Sequence, residues 1–289
     1  MAATYGRLLR HWRLQRHCSQ LALALQAEVS ARHLSWLETG KAQPSRAMVL
    51  RLAEQLDVPL RERNALLVAA GYAPLFAERK LDDPALALAR QVLQRLLDAH
   101  EPWPALVVDR HWQLVAHNRL VPLLMAGAAP ELLQTPINVL RLSLHPQGLA
   151  PRIANIAAWR AHVLARLRRQ VAATGDPVLQ RLLDDLNLLP LPAGASPAEP
   201  ADAFTDTDTD TDTDTDTDTD TDADTDAAPH IDVAVPLTLQ GPSGPLSFIT
   251  TITVFGAPHD VTLSELAVET LLPADEATAA ALRALHAAL

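Results

Sequence analysis

The chain has 289 residues, room for one large or two ordinary domains, and its 24 Lys+Arg against 34 Asp+Glu give a net charge of −10. Taken whole, that balance argues against a nucleic-acid partner, and the 48% apolar content excludes wholesale disorder. The charge is unevenly spread, however: residues 1–80 hold 12 bases and 6 acids, whereas 202–226 hold 12 Asp and no base.

Residues 4–72 read as five short amphipathic helices. Leu8, Leu9 and Trp12 suit one helical face, and Leu21, Leu23 and Leu25 another. Ser19, Ser30 and Ser45 are placed as N-caps of the second, third and fourth helices. Gly40 sits where a helix should end, and Gly71 closes a fifth over 60–70. Helices this short must pack on one another to be stable.

A further helix is expected over 84–100, stopped by Pro102 and Pro104. Short apolar strands over 105–109 and 113–117 form a hairpin across Arg110 and His111. Helices follow over 153–174, with Trp159, Val163 and Leu167 on one face, and over 178–189. The stretch 190–230 is rich in Pro, Ala and Asp and cannot pack. Residues 231–239 and 246–255 then alternate like paired strands, and 276–289 close as a helix. The expected fold class is α+β: an all-α unit (1–76), a connecting helix (77–100) and a second α+β unit (101–289) broken by an acidic insert (193–229).

The first unit carries the clearest functional signal. Gln20 opens one helix, Ala24 is small where a second would cross it, and Val29, Leu34 and Leu37 anchor the second. That is the spacing of a helix-turn-helix, which fits a helix into the major groove. The run SQLALALQAEVSARHLSWLETGKAQPS, followed by LRLAEQLDV, closely resembles the Xre, or phage-repressor-like, helix-turn-helix family. Glu28 departs from that pattern, standing where the family often has Gly; a left-handed backbone there costs about 1 kcal/mol.

The resemblance implies double-stranded operator DNA as partner. It points to Ala31, Arg32, Ser35 and Trp36 on the early face of the recognition helix, with His33 toward the groove or a phosphate. Arg32 suits a guanine and Ala31 a thymine methyl. Gln20, Ser30, Lys41 and Arg46 are expected at phosphates, which set register and not sequence. Trp36 also suits a core or subunit contact. Arg13 and Glu38 match a family pair that bridges the first and third helices.

The segments EPWPALVVDRHWQLVAHN, PINVLRLSLHPQGLAPRIANIAAWRAHVLARLRRQ and SFITTITVFGAPHDVTLSELAVETLLPADEATAA resemble regulators with an MmyB-like ligand-binding domain. That resemblance implies a PAS-like sheet with helices around an apolar pocket, and a small, fatty-acid-like ligand. Candidate pocket residues are Trp112, Asn118, Asn138, Arg141 and His145, with Arg141 able to fork a carboxylate. Each also has a plain structural reading, the aromatics as core and the Asn residues as caps or turns.

Chemistry beyond binding finds no support. No nucleophile elbow, phosphate loop or metal-spaced His pair occurs, so neither an enzyme nor a cofactor is expected. A single cysteine, Cys18, allows no internal disulfide. Arg7, Arg10, Arg13 and Arg16 interrupt any signal peptide, and the longest uncharged stretch, 233–259, holds four Pro and three Gly. The expectation is a cytoplasmic, dimeric transcriptional regulator, of repressor type, with no membrane partner. The competing expectation is a metabolite-binding or interaction module whose helix-turn-helix no longer reads DNA.

Residues 205–222 are nine consecutive Thr-Asp pairs, which bury nothing and repel one another, so a disordered loop is expected. The plain reading is a repeat expanded in a tolerant loop; the sharper one is a DNA mimic on the basic face. A mimic predicts that deleting 205–226 tightens DNA binding at low salt and changes little at high salt. An unchanged low-salt dissociation constant would leave the tract a passenger.

Overall fold

The computed structural model describes residues 4–192, 235–241, 244–256 and 258–289. The expected acidic insert therefore lies outside the described residues. Five helices come first: α1 (Tyr5–Gln15), α2 (Gln20–Gln26), α3 (Ala31–Glu38), α4 (Arg46–Gln55) and α5 (Leu60–Ala69). Ser19, Ser30 and Ser45 cap as expected, each Oγ accepting a backbone N–H three residues on at 3.0, 3.1 and 3.2 Å.

All five helices end alike. The residue after each C-cap turns left-handed, and its successor's N–H returns to the carbonyl five residues back, closing a Schellman motif. Gly40 and Gly71 supply that conformation freely, but His17 (φ 49), Glu28 (φ 54) and Asp57 (φ 45) adopt it against steric preference. At the helix-turn-helix turn the bonds are Val29 N to Ala24 O at 2.8 Å and Glu28 N to Leu25 O at 3.2 Å.

The head's core is one cluster built around Leu9, Trp12, Leu23, Leu34, Leu37, Leu52 and Leu67. One expectation fails in α2. Leu23 and Ala24 are buried, whereas Leu21 and Leu25 are 61% and 71% exposed; alternate Leu residues cannot share one face of a helix with 3.6 residues per turn. Gly6 sits where α1 crosses the end of α3, and a Cβ there would collide with the carbonyl oxygens of Leu37 and Glu38.

The second part is a five-stranded antiparallel sheet in the order β2-β1-β5-β4-β3. Its strands are β1 (Ala105–Val108), β2 (Leu114–His117), β3 (Leu237–Gly241), β4 (Gly244–Val254) and β5 (Ala267–Pro273). α6 (Ala87–Ala99), entered through a 3-10 turn at Pro84–Leu86, covers one face, with Leu93 and Leu97 against Ala105, Val107 and Val268. The other face carries α7 (Val121–Met125), α8 (Val139–Leu144), α9 (Ile156–Thr174), α10 (Pro177–Leu188) and, after a short α11 (Val261–Ser264), α12 (Glu276–Ala287). Leu106, Val108, Phe248 and Leu271 of the sheet meet Trp159, Val163, Leu182 and Leu282 there.

The α+β architecture is thus as expected, with differences in detail. α9 starts at Ile156, because Ile153 instead bridges to Leu239 beside β3. Of the strand expected over 231–239, residues 231–234 lie outside the described residues. The central strand β5 and the short helices α7, α8 and α11 were not anticipated. β5 escapes pattern reading because two polar residues, Glu269 and Thr270, interrupt its apolar run although both are buried. If the left-handed turn at Glu28 is strained, Glu28→Gly should raise the head's stability by up to about 1 kcal/mol. Urea unfolding followed at the head's helical signal measures this, and a loss would refute it.

Candidate functional site

α3 projects from the head with its start exposed. Arg32 is exposed, Ala31, His33 and Ser35 are half-buried, and Lys41 and Arg46 stand open on the following loop and helix. The Arg32 guanidinium lies 4.6 Å above the Trp36 ring, which is 39% exposed. Trp36 is thus a platform for Arg32 and not a core residue. Ser30 caps the helix, its Oγ accepting His33 N–H, with its own O–H left to donate.

Gln20, expected at a phosphate, has one of its two amide N–H groups engaged within the head. Its amide donates to Glu38 Oε2 at 2.7 Å. Glu38 also takes a two-point contact from Arg13, Nε to Oε1 at 2.6 Å and Nη2 to Oε2 at 3.0 Å, and both side chains are buried. Arg13 further donates to Cys18 O at 2.9 Å. This fork ties α1, α2 and α3 together and fixes the angle at which α3 is presented. Removing one partner strands a buried charge, so Arg13→Ala should cost about 3–5 kcal/mol. A fall of that size in the head's unfolding free energy, from urea denaturation, is the check, and a loss below about 1 kcal/mol would refute it.

The second site is a cavity between the sheet and its helices, with about 740 Å³ of atom-free space including its open mouth. Twelve apolar residues line it, among them Leu106, Leu124, Met125, Leu140, Trp159 and Leu271. Four polar residues join them: Ser143, Arg166, Thr250 and Glu269. Ser143 Oγ is taken by Trp159 Nε1 at 2.8 Å.

Arg166 and Glu269 are the ionisable pair in the wall. Arg166 Nη1 lies 3.3 Å from Glu269 Oε1, and the guanidinium stacks 4.1 Å over the Trp112 ring. Burial raises the Glu269 carboxyl above its usual range despite the opposing pull of Arg166. Burial likewise lowers Arg166, and it lowers His162 one turn before it, helped by the charges of Arg166 and Arg169.

None of the five residues anticipated for the pocket borders this cavity. Asn118 is buried and bonds the backbone around Ala105, Trp103 and Leu120. Asn138 caps α8, its Oδ1 accepting Arg141 N–H at 3.0 Å. Arg141 pairs at the surface with Asp185 at 2.6 Å. His145 is the C-cap of α8. Trp112 comes nearest: its ring supports Arg166 from behind, and its backbone is left-handed at φ 66, a strained state for an aromatic residue. The arginine of the site is therefore Arg166, which helix periodicity in α9 places on the same face as Trp159 and Val163. Glu269 was missed together with β5.

Sites of two kinds, a presented helix on a helical head and an apolar cavity under a sheet, define a ligand-regulated transcription regulator. The sequence matches the MmyB-like transcription regulator ligand binding domain over residues 89–285 and a helix-turn-helix domain over 4–66. The chain belongs to the MmyB-like family of regulators. No curated protein matches it. A solved RNA-binding light-oxygen-voltage receptor is similar at 11% identity and a TM-score of 0.25. That alignment covers 98% of this chain and 63% of the receptor chain, and it is too distant to bear on the fold. Among the described residues no helix is long and apolar enough to cross a membrane.

Proposed function

We propose that the protein is a cytoplasmic, dimeric repressor of the Xre type that releases or engages its operator as an apolar, fatty-acid-like ligand enters the cavity. The carrying observation is that α9 belongs to both parts. Trp159, Val163 and Arg166 line the cavity, and one to two turns on the same helix meets the head, where Gln15 Nε2 donates to Ala172 O at 3.1 Å. The turn before β2 follows the same path. Gln170 bonds Trp112 Nε1 at 2.8 Å and Arg110 O at 3.0 Å.

Arg110 stands 3.6 Å from Asp176 and 3.7 Å from Glu265, and Glu265 holds Arg61 of α5 by two bonds of 2.7 and 3.0 Å. A ligand that moves Arg166 or Trp112 thereby bears on the contacts that seat the head, which is the differential contact that regulation requires. The antiparallel sheet with helices around an apolar pocket supports the PAS-like reading of this part. The exposed Arg32, Lys41 and Arg46 support direct DNA reading, and a palindromic operator would match a dimer. We read the protein as a regulator without enzymatic activity, in keeping with the regulatory families it matches.

The test is a genome-scale binding experiment with purified protein on fragmented DNA, followed by Arg32→Ala on the recovered site. A sequence reader should lose about 1–3 kcal/mol of preference for its site over a scrambled one. Equal loss on both sequences would reduce Arg32 to a phosphate contact, and no site at all would leave a binding module that does not read DNA.

A further inference from the structure

The cavity contains a charge arrangement that its apolar lining does not need. Arg166 carries five N–H donors, and among the described residues it is engaged through one hydrogen bond, the 3.3 Å contact to Glu269. That contact is long and single, unlike the two-point forks that Arg13 makes with Glu38 and Arg61 with Glu265. The guanidinium carbon lies over the Trp112 ring, 4.1 Å from its centroid, so the ring supports the guanidinium without taking up its N–H donors. Glu269 is only 9% exposed and has Arg166 as its sole hydrogen-bond partner among the described residues. A half-buried guanidinium with donors left over among the described residues, at the wall of an apolar cavity, can receive an anion, and the carboxylate it now holds is the protein's own.

We propose that Glu269 is a stand-in for the carboxylate of an apolar acid, and that the acid takes its place on Arg166 as Glu269 takes up a proton. This deepens, and rests on, the reading of the cavity as an apolar-ligand site. The exchange balances: one ligand anion and one proton enter, the Arg166–Glu269 ion pair becomes an Arg166–ligand ion pair, and Glu269 remains as a neutral acid. No unpaired charge is left buried, whereas an acid entering without the proton would bring two carboxylates to one guanidinium. The charged and titratable groups near Glu269 are few. Arg166 faces it from α9, with Arg169 and His162 on the same helix acting through Arg166. Among the cavity-lining residues of α7, α8, β1, β3 and β4 none is ionisable. The raised Glu269 carboxyl eases the proton uptake.

Binding of an acid should then weaken about tenfold for each pH unit above the titration of Glu269, because one proton is bound with each ligand. A neutral ligand of the same length should show no such slope. The probes are decanoate and 1-decanol, titrated calorimetrically into the full chain between about pH 6 and about pH 8, a range in which a free carboxylic acid stays ionised. Decanoate should show the slope and decanol should not.

Glu269→Gln should bind decanoate at least tenfold tighter at the upper pH and lose the slope, leaving decanol within a factor of two. Arg166→Met/Glu269→Gln, which removes both charges and strands neither, should lose decanoate and keep decanol. A Glu269→Gln variant that binds decanoate no better than the parent, or keeps the slope, overturns the proposal while decanol still binds. Failure of both probes to bind the parent or either variant overturns the apolar-ligand reading itself, and the proposal with it.

Discussion

Helix α9 is the constraint on which the molecule's two halves depend. It is a single 19-residue helix, about 28 Å long at 1.5 Å per residue. Its first three turns close the cavity with Trp159, Val163 and Arg166, and its C-terminal end carries Gln170, Ala172 and the cap Gly175 beside α1. From Arg166 to Ala172 is about 9 Å along the axis. A hydrogen-bonded helix is stiff over so short a span, which is the physical basis of the proposed coupling between the cavity and the head. The Trp112 turn makes the same span by a second route, with its indole against Arg166 and its neighbour Arg110 against the acids of the head seam.

The head is built for a fixed presentation of α3 at a cost in stability. Three of its five helix ends force a left-handed turn on His17, Glu28 and Asp57, each unfavourable by about 1 kcal/mol. Against that stand a dry cluster in which Leu9, Leu23, Leu34, Leu37, Leu52 and Leu67 are fully buried, and the Arg13–Glu38–Gln20 network. A buried ion pair adds little net stability, since desolvation offsets the attraction. Its contribution is geometric: two parallel bonds from α1 to the end of α3, and a third from α2, leave that helix one orientation.

Much of this was legible in the sequence because the relevant signals are local. Serine caps, Gly40 and Gly71 as stops, and the spacing of Ala24, Val29, Leu34 and Leu37 act within a turn or two of helix, and the head followed from them. The Arg13–Glu38 pair, 25 residues apart, was legible only through family resemblance. The sensor's site was not legible, for two physical reasons. Asn118, Asn138 and His145 sit at element ends, where a polar side chain completes a turn or cap as readily as it meets a ligand. Glu269 lies in the middle of a strand whose burial is tertiary, so one-dimensional alternation reads it as surface. Arg166, in a run of four arginines on α9 (Arg160, Arg166, Arg168 and Arg169), differs from the others only in which side of the helix faces the cavity.

The placement of those two charges also bears on selectivity. An apolar cavity distinguishes ligands weakly, since each methylene contributes only about 0.8 kcal/mol and a wall of Leu, Val and Met adapts to many shapes. A single oriented guanidinium changes that, because a site built around a buried polar group rejects partners that leave it unpaired far more strongly than one that only adds or removes apolar surface. Glu269 keeps Arg166 paired, so the arrangement carries no bare charge. Selectivity and an undamaged resting state are then two consequences of one arrangement: a receptor for an anion, on the helix that reaches the DNA-reading head, with its own carboxylate holding the place.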